Sequence, residues 1–163
     1  MTTTTTSSLH PATPSIIKTI AWVGLLAGTL DICSACLQVY LVKGTHPEIV
    51  LRYVASGVFG KAAFTGGTAM ALCGLLFHYF IAYSFTAFFF WIYPRLPLQR
   101  VNVFLMAILY GLFMYIVTTF IVLPLSKIGN IPFHPDKALM AAGILMIAIG
   151  LPLSFFARRF YNA

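Results

Sequence analysis

Residues 66–93 read GGTAMALCGLLFHYFIAYSFTAFFFWIY, an apolar run with one ionisable side chain, His78, near its middle. A helix rises about 1.5 Å per residue, so roughly 20 apolar residues cross the hydrocarbon core of a bilayer. The run is longer than that. In lipid every backbone N–H and C=O must find its partner within the segment, which imposes a helix even on strand-prone Phe, Tyr and Ile. Trp91 and Tyr93 fall at the far end, where such rings favour the headgroup zone, and Pro94 with Arg95 closes the span. Trp91, Tyr93 and Arg95 are therefore expected as interface anchors.

Composition places the whole chain in the same setting. Of its 163 residues 60% are hydrophobic and 8% charged, and the mean hydropathy is +0.93. A soluble domain carries about a quarter charged residues, so this is the composition of an integral membrane protein. The net charge is +7, but Lys and Arg are scattered beside apolar runs rather than gathered on one basic face, which argues against nucleic acid as a partner. Cys33, Cys36 and Cys73 lie inside expected spans and read as small apolar residues rather than as a disulfide framework. No cleavable signal is expected, because the first apolar run lacks a basic region before Lys18 and exceeds the ~7–15 residues of a signal core.

Outward from residues 66–93, the pattern predicts an all-α fold: a disordered polar tail over 1–15 and one domain over 16–159. Its four transmembrane helices, over about 16–42, 66–93, 101–125 and 137–157, form a bundle. Between the first two, Thr45-His46-Pro47-Glu48 matches a helix start, with Thr45 as cap and Glu48 reaching back. An interfacial helix over 45–57 is expected, with a re-entrant segment as the alternative. Asp136 is placed to cap the fourth span.

Small residues let membrane helices approach closely. Gly24, Gly28, Asp31, Ala35 and Gln38 share one stripe of the first span, and Gly67, Ala71, Gly74 and His78 one stripe of the second, at about 100° per residue. Gly111 in the third span, and Gly143 with Gly150 in the fourth, complete the expected packing glycines. Helix packing alone explains the recurring Gly24/Gly28 and Gly74/His78 spacing, so no internal repeat is read. Arg100, Arg158 and Arg159 join the interface anchors. Lys18, Arg95, Arg100, Arg158 and Arg159 flank one side, and Lys43, Arg52, Lys61, Lys127 and Lys137 the other. The arginines set tightly against short segments favour both termini in the cytoplasm.

Asp31 and His78 are the candidate chemistry. Each lies about midway along its span, and the spans run in opposite directions, so the two meet at similar depth. An ionisable group there costs at least ~2.5–3.5 kcal/mol on insertion scales, so it needs a reason. One reason is structural, an Asp31–His78 hydrogen bond fixing helix register. The others are a proton or ion relay, and catalysis with His78 as general base acting on lipid. Cys33-Ser34-Ala35-Cys36 is a CxxC that points away from the Asp31 stripe, without the four converging ligands of structural zinc. No metal, cofactor or catalytic residue is expected.

Taken together, GTLDI at 28–32, LRYVASGVFGKAAFTGG at 51–67 running into LLFHYFIA at 75–82, and IVLPLS at 121–126 resemble a group of small bacterial four-span membrane proteins of unknown function. The resemblance implies a bacterial inner-membrane protein with four helices, and it carries no activity. The leading reading is a non-enzymatic accessory or scaffold protein, touching the lipid bilayer and either its own copies or a membrane protein partner. The alternative is a small proton- or ion-coupled transporter or channel subunit using Asp31 and His78.

Overall fold

Long apolar runs become helices throughout, and among the described residues there is no strand. The computed structural model describes residues 15–95, 97–129 and 134–162. Helix α1 spans Ile16–Lys43 and α2 Glu48–Phe59, followed by a 3₁₀ turn at Gly60–Phe64. Three longer helices complete the chain: α3 over Gly67–Arg95, α4 over Val103–Leu125 and α5 over Pro135–Tyr161. α1, α3, α4 and α5 are each long and apolar enough to cross a membrane. The tail expected over 1–15 lies outside the described residues apart from Ser15.

Helix ends depart from expectation where a side chain has a better partner. Pro47, not Thr45, precedes α2 without a side-chain cap, and Glu48 pairs with Arg52 one turn on, at 2.9 Å. His134 precedes α5 and Pro135 opens it, since proline's fixed φ suits a first turn, so Asp136 lies inside the helix and caps nothing. At the other end α5 continues past Arg158 and Arg159, whose charges complement the carbonyl end of its last turn.

The four long helices close a ring of contacts. Gly24 and Gly28 of α1 face Tyr79, Ala82 and Tyr83 of α3, an antiparallel match. Ala107 and Gly111 of α4 face Gly150 and Met146 of α5, so closely that a Cβ at Gly111 would sit 2.6 Å from Met146 Cα. Between α3 and α4 the gap is filled by rings instead: Phe89 and Tyr110 lie 4.4 Å apart, and Phe88 stacks on Phe113. The apolar core, including Val23, Phe89, Tyr110, Met114 and Leu153, fills the half of the molecule nearest the termini.

α2 folds back against this frame. Its Leu51 and Ala55 backbone lies directly on Gly74 of α3, its Gly57 carbonyl accepts the Lys127 N–H at 2.9 Å, and Cys36 of α1 donates its thiol to Pro47 O.

α4 and α5 each contain a π turn, Thr118–Val122 and Met146–Gly150. Each runs directly into Leu-Pro, at Leu123-Pro124 and Leu151-Pro152. Proline lacks an N–H and crowds the carbonyl one turn back, and a widened turn relieves both. The surrounding segments, IVLPLS at 121–126 and IGLPLS at 149–154, differ at one position. The chain thus does carry a short internal recurrence, each copy with the same backbone irregularity.

Candidate functional site: a polar seam between α1 and α3

The seam exists because α1 presents glycine where α3 presents rings. A Cβ at Gly28 would come within 3.1 Å of Ala82 Cβ and of the Tyr79 ring, and one at Gly24 within 2.5 Å of the Tyr83 ring. With no side chain in the way, α3 reaches the α1 backbone. His78, 9% exposed, places Nε2 at 2.8 Å from the Gly28 carbonyl oxygen. A carbonyl only accepts, so Nε2 carries the hydrogen of this bond. Tyr83 donates to Ala21 O at 3.2 Å, and the Tyr79 and Thr29 hydroxyls bond at 2.8 Å.

Asp31 stands one turn beyond Gly28, half-buried and within Coulombic range of His78. The hydrogen bond expected between the two is not formed. Among the described residues the one ion pair is Arg52–Glu48, and the His78 ring is turned to the backbone of α1 instead. A carbonyl without a side chain beside it offers the imidazole a closer acceptor than a carboxylate on the next turn.

The other expected packing residues divide. Gly24, Gly28, Ala71, Gly74, Gly111 and Gly150 are buried. Ala35 and Gln38 are half-buried, and Gln38 donates to Met140 Sδ of α5, so the α1 stripe turns from α3 towards α5 along its length. Gly67 and Gly143 do not mediate close packing. Gly67 has φ +62° at the start of α3 and serves the backbone turn, and a Cβ at Gly143 would meet nothing within 4 Å. The α3 stripe serves two partners: Gly74 receives α2, while His78 and Ala82 face α1.

Of the interface anchors, Trp91 is 52% exposed with the Arg95 guanidinium 4.3 Å above its ring, and Arg95 also donates to the Trp91 carbonyl. Arg100, Arg158 and Arg159 are exposed. Tyr93 is not an outward anchor: it is 2% exposed, packed on Phe89 and stacked on Tyr161. An aromatic at a helix end packs on another ring where one is offered, and α5 offers one.

Sequence reasoning missed Thr29, Tyr79 and Tyr83. Their signal was a pair of tyrosines one helical turn apart, the first of them next to His78 in the sequence. The chain matches no family model, no curated protein and no solved structure.

Proposed function

We propose that this chain is a non-enzymatic integral membrane protein, an accessory or scaffold subunit built as a four-helix transmembrane bundle. The observation that carries the reading is the His78–Gly28 bond: the one buried histidine among the described residues spends its N–H on the backbone of a neighbouring helix. A side chain committed in this way holds two helices in register, which is what a rigid docking unit requires. The likeness at 28–32, 51–67, 75–82 and 121–126 supports a bacterial inner membrane, and the arginines near the span ends support cytoplasmic termini.

A relay is the second reading, favoured by Asp31 standing one turn beyond Gly28, the residue whose carbonyl His78 bonds. Liposome reconstitution separates the two. For a scaffold, His78→Ala and Asp31→Ala lower stability, and the parent passes no proton flux under a pH gradient. PH-dependent flux in the parent, abolished by Asp31→Asn with the fold intact, would replace the scaffold reading by the relay.

A further inference from the structure

The geometry points to a binding site for one anionic phospholipid in the groove along the outer face of α1, with Lys18 holding the phosphate and the apolar wall holding an acyl chain. The groove measures about 930 Å³, and its wall includes Trp22, Leu25, Leu26 and Phe156 of α5. It runs from Lys18 to Thr29. At about 1.5 Å per residue that length is roughly 16 Å, the depth of one leaflet, so a chain entering at Lys18 ends near the midplane.

Polar groups in the wall leave one point of attachment. Thr19 is bonded to Ser15 O, and Thr29 to Leu25 O and Tyr79, so both hydroxyls are already engaged. Lys18 is exposed at the mouth. Its surroundings favour an anion. Lys18, Arg95, Arg100, Arg158 and Arg159 lie at this end, whereas the chain's acids are Asp31 at mid-span and Glu48 and Asp136 at the opposite end. Arg159 lies three positions beyond Phe156, on the same face of α5 and one turn nearer the headgroups. Trp22, 73% exposed, gives the wall a flat ring below the headgroup level. This inference depends on membrane insertion and not on the scaffold role.

Trp22 supplies the probe. Trp91→Phe leaves it as the single tryptophan of the full chain, reconstituted in phosphatidylcholine vesicles containing graded fractions of bromine-chain phosphatidylglycerol or bromine-chain phosphatidylcholine. Attraction of one lysine to an anionic lipid predicts a relative association constant about threefold to fivefold above that of the zwitterionic lipid. Lys18→Gln should bring the ratio close to one, and Lys43→Gln, at the far end of α1, should leave it unchanged. Equal quenching by both lipids in the parent would mean ordinary boundary lipid and would overturn the site. So would a preference that survives Lys18→Gln, or a Trp22 that neither lipid quenches because a second copy of the chain covers the groove.

Discussion

The Nε2 of His78 and the carbonyl oxygen of Gly28 lie 2.8 Å apart, joining the middle of α3 to the middle of α1. The bond and the glycine are one device. Interhelical hydrogen bonds in membrane proteins contribute about 0.6 kcal/mol on average, so packing around the ring matters more than the bond. His78→Ala removes both and should cost roughly 2–3 kcal/mol. His78→Gln keeps a donor of similar reach and should cost less than half of that. Reversible unfolding in mixed detergent micelles gives both values, and equal losses in the two variants would show that the donor contributes nothing.

Glycines that look alike in sequence are expected to respond oppositely to one methyl group. A Cβ at Gly74 runs into the Leu51 backbone of α2, which cannot rotate aside as a side chain does. Gly74→Ala should destabilise by about 1–3 kcal/mol, the usual range for overpacking. Gly143 has nothing within 4 Å, so Gly143→Ala gains helix propensity without a clash and should be neutral or mildly stabilising. Thermal shifts of the same sign and size for both would refute the assigned packing.

How much of this was legible follows from what lipid does to a sequence. Length and uncharged composition suffice for the spans, because a backbone in hydrocarbon has few choices, and residues 66–93 announced α3 to within a few residues. Gly24, Gly28 and His78 were legible as one small and polar stripe on each helix. What the stripe faces was not: Gly74 belongs to the same row as His78 yet receives α2. In a soluble helix a polar outer face would mark the inside, but here both sides are apolar and the pattern falls silent. Tyr93 was misplaced for a related reason, since a ring at a helix end suits a headgroup or another ring, and only Tyr161 decides. The two π turns were foreshadowed by Leu-Pro, but a proline alone does not reveal whether a helix kinks, ends or widens.

Tyr53 of α2 should make the docking of that helix sensitive to alkali. Partial burial of this ring, still 39% exposed, pushes its phenol above the ordinary value, since the charged form loses solvation. Above about pH 10 the unfolded phenol releases its proton while the folded one retains it. The folded state then holds more protons, and stability falls as pH rises, whereas below that range the group has no effect. Tyr53→Phe should therefore flatten the decline that begins as the pH passes the ordinary phenol range, without altering the slope at pH 7–9. Parallel curves for parent and variant across the whole range would dissociate Tyr53 from the decline.

The attachment of α2 to the end of α4 brings two backbones close enough to trap with a crosslink. A Cβ at Gly57 would lie 3.6 Å from Ser126 Cβ, inside the roughly 3.5–4.5 Å window of disulfides, and the Lys127 N–H already bonds to the Gly57 carbonyl. Gly57→Cys with Ser126→Cys, in a chain whose Cys33, Cys36 and Cys73 are replaced by Ala, should crosslink rapidly under mild oxidant in membranes and migrate as a compact monomer. Ile49→Cys with Ser126→Cys is the control, because residue 49 lies about 12 Å back along α2. Rapid closure of the first pair alone would fix α2 as part of the helical frame, so that the surface it shares with α3 and α4 moves as one body. Equal, slow crosslinking of both pairs would instead describe a helix free on the membrane surface, and Gly74→Ala should then have no cost either.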